Sequence, residues 1–370
     1  MNVETFNYSL ESLAPLFYLN KRDRKNIYIF STEKEALEFY NNFSNFVPES
    51  SHFPAWDTLS YDSFTPTLEI QGKRLQTLHN LLVNDFFDIA MSMKSFTQKI
   101  FINDLDVIDM QIGQEVDFEN LIENLAFLKY VNKDRVESRG TFSIRGGQID
   151  IYPLNSEYPI RIIFNGDEVV ELKLFDYITQ RSIKNIKKVL ITPSSELFQT
   201  NQEDIYKSLE IESKKDLDEY ELFQFSQNLE NFKSLLDFVP DDISINIIDF
   251  NSCKEVFSEL QKIEDDSFNN LQKFFSLNVS KMKSRYVDTL KEINKFETIF
   301  YATNDLENIS NVPQFLDGLS ADNVLQKINN LAKVYLSSSN EKITEKFSGI
   351  TNLQIAEHPF SYSAVFPEMN

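Results

Sequence analysis

Cysteine is almost missing from this chain. Cys253 is the one thiol in 370 residues, which excludes an internal disulfide and any multi-cysteine zinc site. Histidine is nearly as scarce, and His52, His79 and His358 share no ligand spacing. No run of about 18 apolar residues occurs, so no membrane span is predicted. The start, MNVETFNYSLESLAPLF, has no basic stretch followed by an apolar one, which argues against secretion. A cytoplasmic protein is the expectation. Positive charge is also short: 36 Lys and Arg stand against 57 Asp and Glu, a net charge of −21. Affinity for nucleic acid rests on neutralising phosphates with Lys and Arg, so the chain as a whole makes a poor DNA binder. Glycine is rare too, at 8 residues.

What is present supports real cores. The apolar fraction is 42% and there are 33 Phe, and a chain of this length predicts two or three domains. NIYIFS (26–31) reads as a buried strand running into TEKEALEFYNNF, where Thr32 and Glu35 form a capping box. That is one β-α unit of an α/β domain. FPAWDTLSYDSFTP (53–66) has no helical period and reads as an extended aromatic loop. Thr65 is then expected to cap a helix with Pro66 in its first position, running to about Leu82. FFDIAMSM (86–93) reads as the next strand. After about residue 105 the pattern changes: NLIENLAFLKYV (120–131) is a helix, followed by four short strands, GTFSIR, QIDIYPL, YPIRIIF and EVVELKLFD. NSEYP and NGDE are their turns, the Asn-Gly pair being a hairpin signal. From about Ile191 the chain returns to acidic helical segments with scattered strands (243–250, 298–304 and 333–338). Its last twenty residues read as a chain cut before a next domain.

Glycine and arginine are unevenly spent. Gly140, Gly146, Gly147 and Gly166 are half of all the glycines, and Arg135, Arg139, Arg145, Arg161 and Arg181 are five of nine arginines. Between 133 and 188 ten basic residues face eight acidic ones, so this stretch is far less acidic than the rest. Gly146-Gly147 lets backbone approach a partner closely beside Arg145. If Ile160, Ile162 and Phe164 point to one face of a strand, Arg161 and Ile163 point to the other. Arginine beside an apolar neighbour on an exposed sheet is the composition of a protein–protein contact. The alternative is that these arginines pair across strands with Asp150, Asp167 or Glu168, and on pattern alone that alternative is favoured.

Catalytic signatures are lacking. The one Gly-Lys pair, Gly72-Lys73, is followed by Arg74, has Thr67 where a phosphate loop needs its first glycine, and lies in the expected helix. The first β-α turn, STEKEA, has no glycine. IIDFN (247–251) reads as a strand end with a solvated Asp rather than a Mg²⁺ site. No G-x-S-x-G elbow occurs, and Cys253 has no neighbouring His. The expectation is that these 370 residues are not an enzyme.

Two long stretches resemble a known family. Trp56, Asp57, Thr58, Leu59, Tyr61, Asp62, Ser63 and Phe64, followed by Arg74, Leu75, Thr77 and Leu78, resemble the signature of bacterial transcription-repair coupling factors. RGTFSIRGGQIDIYPLNSEYPIRIIFNGDEVVELKLFDYITQRS resembles the insert that this family shares with the excision nuclease subunit UvrB. Together the matches cover roughly residues 25–190. The resemblance implies an α/β, UvrB-like architecture: a degenerate RecA-like domain without a P-loop (1–105 and 191–350), split by a small α+β UvrA-binding insert (106–190), with 351–370 a linker toward a further domain. It implies UvrA recruitment in transcription-coupled nucleotide excision repair, with Arg145 and Arg161 as contacts and Phe164 and Asn165 at the place of a neighbouring aromatic. Asn165 departs from the family there, which puts the aromatic contact in doubt. Neither cofactor nor metal is implied for this chain. ATP, Mg²⁺, RNA polymerase and double-stranded DNA belong to translocase and other domains whose motifs do not occur here. The alternative is a UvrB-like, nucleotide-dependent DNA helicase subunit.

Overall fold

The computed structural model describes residues 2–6, 14, 17, 25–60, 64–102, 104–209, 216–271, 284–303, 334–336 and 353–355. Tyr61, Asp62 and Ser63 of the signature stretch, and most of 304–370, lie outside these. In chain order the elements are β1 Asn2–Phe6, β2 Asn26–Phe30, α1 Glu33–Phe43, β3 Ser51–Phe53, α2 Leu68–Val83, β4 Asp88–Ser92 and α3 Met93–Thr97. Then come β5 Ile108–Gln111, α4 Phe118–Phe127, β6 Val131–Asn132, β7 Thr141–Ile144, β8 Gln148–Ile151, β9 Ile160–Asn165, β10 Glu168–Phe175, β11 Ser182–Ile186 and β12 Lys188–Ile191. The chain continues with α5 Gln202–Leu209, α6 Glu219–Ser226, β13 Ser244–Ile248, α7 Phe250–Leu271, β14 Glu297–Thr303, β15 Val334–Leu336 and β16 Leu353–Ile355.

Six strands form an all-parallel sheet in the order β1-β14-β13-β2-β4-β3. A parallel sheet is covered on both faces, so its strands read as unbroken apolar runs. β2 shows this: Ile27 and Ile29 enter one core cluster with Leu75 and Leu78 of α2, while Tyr28 and Phe30 enter another with Phe39 and Phe43 of α1. Thr32 and Glu35 make the expected capping box at the start of α1. α2 starts later than expected. Its N-cap is Thr67, not Thr65, and the Thr67 N–H is taken by Asp57 Oδ1 at 3.1 Å, so the preceding loop supplies the cap that the helix's own side chain does not.

The second sheet, β11-β10-β9-β8-β7-β6, comes from the middle of the chain and is antiparallel apart from its last pair. Its ends are tied together, since β5, which precedes it, pairs antiparallel with β12, which follows it. β11 and the β5–β12 pair were not foreseen, because SIKNI and IDMQ are too polar and too short to show a strand period. The β9–β10 turn is centred on Gly166-Asp167, since Asn165 pairs with Glu168 and Gly166 takes φ +63°. The Asn-Gly signal located the hairpin, and NGDE is its four-residue turn. α4 packs Leu121 and Leu125 on one face of this sheet, in the same cluster as the parallel sheet's core. Further along the chain β15 and β16 pair in parallel. Among the described residues no helix is long and apolar enough to cross a membrane.

A buried ion pair joins the two sheets' surroundings. Arg74 of α2 and Glu196, just past β12, are 0% and 1% exposed at the side chain. Arg74 Nε donates to both Glu196 oxygens at 2.9 and 3.0 Å, and Nη1 donates to Pro54 O at 2.9 Å. Trp56 Nε1 donates to Glu196 Oε1 at 2.8 Å. Burial pushes the Glu196 carboxyl up, and the charge of Arg74 opposes it. Trp56 lies between two guanidiniums, those of Arg74 and Arg285, 5.4 and 5.2 Å from its ring. Glu264 of α7 completes the assembly, accepting from Ser60 Oγ and from Arg285 N at 2.7 Å. Two residues before Arg74, Gly72 lets α2 pass against the segment after β8: a Cβ there would lie 2.4 Å from Leu154 O.

Two expectations follow. Gly72→Ala improves helix propensity by about 1 kcal/mol, yet it should lower the urea midpoint, because overpacking against a backbone carbonyl costs about 1–3 kcal/mol. An unchanged or raised midpoint would refute the close approach. Removing one member of the buried pair, as in Glu196→Leu, should cost about 3–5 kcal/mol in the same assay, whereas the double change Arg74→Met with Glu196→Leu should recover most of it. Equal losses in single and double variants would mean the pair is not the interaction that matters.

Candidate functional site

The antiparallel sheet has one covered and one open face, and the pleat decides which residue goes where. Along β9 the burial alternates: Ile160, Ile162 and Phe164 are buried, Arg161 and Ile163 half-buried, Asn165 exposed. The expected alternation is therefore observed. Cross-strand register then lines up two rows on the open face. One runs Ser143, Asp150, Arg161, Lys173, Asn185 from β7 to β11. The other runs Gln148, Ile163, Glu171, with Arg145 opposite Gln148 through the bonds Arg145 N to Gln148 O at 2.9 Å and Gln148 N to Arg145 O at 3.2 Å. Successive rows on one face are roughly 7 Å apart. Arg145, Arg161 and Asn165 thus share a face. Phe164 does not: it is 7% exposed and meets Phe118 of α4 edge-on at 5.1 Å. As a contact residue Phe164 is displaced by the pleat, because a residue adjacent to Arg161's row on the opposite side of the strand must enter the core.

The two arginines are held differently. Arg161 makes a two-pronged pair with Asp150, Nε to Oδ1 and Nη2 to Oδ2, both at 2.8 Å. Asp150 is 2% exposed at its side chain and Arg161 18%, and the guanidinium lies 4.7 Å over the Phe175 ring. The hydrogen bonds it donates to Asp150 raise the pKa of Arg161 further. The cross-strand pairing weighed from sequence therefore holds for Arg161. It does not hold for Arg145, whose exposed side chain donates through Nη2 to Asp134 O at 2.8 Å. Arg135 and Arg139 likewise clamp turn carbonyls, of Ile178 at 2.7 Å and of Ser156 at 3.2 Å. The Gly146-Gly147 turn has φ +60° at Gly146 only, the pattern of a type II′ hairpin. Gly147 is approached by the chain's own β9, with Phe164 O 3.1 Å from where a Cβ would stand, while Gly146 faces open space.

The turn from β2 into α1 is where a nucleotide-binding α/β protein holds phosphate on free helix N–H groups. Here those groups meet the chain's own side chains: Thr32 N donates to Glu35 Oε2 at 3.0 Å and Glu35 N to Thr32 Oγ1 at 3.2 Å. Glu33 brings a carboxylate to the ends of β3 and β4, accepting from Ser92 Oγ at 2.7 Å and Ala55 N at 3.2 Å, with His52 Nε2 at 3.0 Å. These residues do not fit a phosphate, since an anion already stands there. Burial would raise the Glu33 pKa, but the hydrogen bonds from His52 and Ser92 win and hold it below the ordinary 4.5. Asp249 ties the start of α7, accepting from Ser252 Oγ at 2.7 Å. Cys253 is buried beside it with its thiol pushed up by burial. Among the described residues no group of three His, Cys, Asp or Glu could hold a metal ion.

The sheet with the arginine-bearing face is carried between paired strands β5 and β12, and residues 108–197 match the family model of the UvrB interaction domain. The chain is also similar to transcription-repair-coupling factors. It is 31% identical over 142 residues to that of Mycobacterium tuberculosis, covering 36% of this chain and 12% of the relative. It is 28% identical over 168 residues to that of Escherichia coli K12, covering 44% and 14%. The UvrABC system protein B of Thermosipho africanus is 26% identical over 206 residues, covering 50% and 30%. The resemblance read from the two sequence stretches is borne out, and the chain spans less than a third of the length of these relatives.

The depressed Glu33 group sets a pH dependence. A carboxyl with a lowered folded-state pKa contributes stability above its unfolded value and loses it as pH falls through the folded value. Urea midpoints of the wild type should therefore fall below pH 4.5 more steeply than those of Glu33→Gln. Parallel curves for the two proteins would remove Glu33 from the acid response.

Proposed function

We propose that this chain is the UvrA-recruitment part of a transcription-repair coupling factor, acting in the cytoplasm in transcription-coupled nucleotide excision repair. The observation that carries the reading is the match of residues 108–197 to the UvrB interaction domain, on a sheet whose open face carries Arg145 and Arg161. In this reading the parallel sheet is a degenerate RecA-like domain split by the insert. Its β2–α1 turn, filled by Glu33 and Glu35, supports a module that binds neither ATP nor Mg²⁺ and catalyses nothing itself. Displacement of RNA polymerase along double-stranded DNA is then the task of other domains of the whole protein. Arg145, with one turn carbonyl as its partner, has donors to spare for a carboxylate on UvrA. Arg161 is already paired with Asp150 and can offer only its remaining N–H groups.

A second reading, a UvrB-like nucleotide-dependent helicase subunit, is favoured by the similarity to UvrABC system protein B. ATP binding separates the two readings. The first expects none, and saturable ATP binding by this chain would favour the second.

Titration with UvrA at moderate salt tests the recruitment reading. The wild type should bind. Arg145→Ala should weaken binding by about 2–5 kcal/mol if its partner carboxylate is buried in the complex, with the melting temperature kept. Arg161→Ala also strands Asp150 in the sheet, so Arg145→Ala is the informative variant. Failure of the wild type to bind would sink the proposal.

A further inference from the structure

Residues 181–188 read RSIKNIKK, four cations with no acidic residue in a chain of net charge −21. Most of this run is β11, the edge strand of the antiparallel sheet, bonded to β10 on one side and to no described strand on the other. Ser182, Ile183, Lys184 and Asn185 are all exposed. Lys188 pairs with Asp109 at 2.7 Å, while Arg181, Lys184 and Lys187 make no ion pair with a described residue.

Lysine on an open edge guards against aggregation, but a guard does not require exposed apolar side chains, and here they are present. Ile183 is 51% exposed in the middle of the strand, and Tyr177 and Ile178 in the turn before it are 38% and 67% exposed. Ile183 is the extra residue of a bulge, since Ser182 pairs with Phe175 and Lys184 with Leu174, and Asn185 next along ends the row of Lys173 and Arg161.

We propose that β11 is a docking edge for an extended acidic segment of a partner protein, which adds to the sheet as a seventh strand. Its backbone pairs with the open edge, its Asp and Glu side chains meet Arg181, Lys184 and Lys187, and an apolar side chain covers Ile183. Main-chain bonds supply affinity in this mode, and alternate side chains supply selectivity. Duplex DNA fits less well, since the net charge of −21 repels a polyanion and phosphates make no use of the strand edge or Ile183. The site lies at the sheet edge opposite the Gly146-Gly147 side and does not depend on UvrA recognition.

The test uses two labelled peptides of equal length and charge, one alternating Glu and Val, the other alternating Glu and Pro, followed by fluorescence anisotropy. Proline cannot donate to a ladder, so the Glu-Val peptide should bind and the Glu-Pro peptide should not. Amide hydrogen exchange should show new protection in β11. The variant Lys184→Glu with Lys187→Glu changes only exposed side chains and should weaken binding by roughly tenfold or more, with thermal melting retained. Equal binding of both peptides, no binding of either, protection elsewhere, or tighter binding of duplex DNA than of the Glu-Val peptide would each overturn the proposal.

Discussion

Arg74 and Glu196 cannot be buried separately. A lone guanidinium or carboxylate in a dry interior carries a desolvation cost that no neighbouring apolar contact offsets, whereas the pair, with further hydrogen bonds to Trp56 and Pro54 O, is tolerated. The two residues are 122 positions apart. Their pairing therefore forces the 53–58 loop, α2 and the segment after β12 to assemble together. Gly72 adds a steric condition to this electrostatic one, since α2 sits too close to Leu154 for any side chain. With α2 fixed against both sheets' surroundings, the antiparallel sheet is held in one orientation and presents one face outward. Of the residues in the family signature, Trp56 and Arg74 belong to this internal joint, while Phe64 is exposed.

The open face inherits its character from the same constraint. One face of the sheet is given to α4 and the common core, so the pleat delivers every second residue of β9 outward. Asp150, opposite Arg161, is almost fully covered and needs a cation, and Arg161 supplies it in two-pronged geometry. This explains how a surface rich in arginine can sit in a strongly acidic chain without being a generic polyanion site. Most of its guanidiniums are committed to turn carbonyls or to one carboxylate, which shapes the sheet and leaves few cations free. Arg145 beside the glycine turn keeps donors beyond its bond to Asp134 O, and Arg181, Lys184 and Lys187 in the run along β11 make no ion pair with a described residue.

At the parallel sheet's carboxyl end the balance is reversed. Glu33 and Glu35 place carboxylates where helix N–H groups are available, and the hydroxyls of Thr32 and Ser92 complete the bonds. The core on each face of the sheet depends on Ile27, Ile29, Tyr28 and Phe30 and not on the turn that follows them.

Local chemistry was legible from the residues alone. The Thr32–Glu35 cap, the apolar run of β2, the alternation along β9 and the presence of a hairpin near Gly166 are all short-range signals, set by side-chain period and glycine's tolerance of positive φ. β5 and β11 were missed, since polar edge strands take their form from a neighbour's backbone and not from a pattern of their own. The start of α2 was misjudged because Asp57, from the preceding loop, supplies the cap. By itself the sequence determined the elements, the acidic balance and the family resemblance. Tertiary structure alone decided that Arg161 faces Asp150 while Arg145 stays exposed, that Phe164 enters the core, and that Glu196 meets Arg74. Register and burial partners depend on which strands and helices come together, and no window of adjacent residues contains that information.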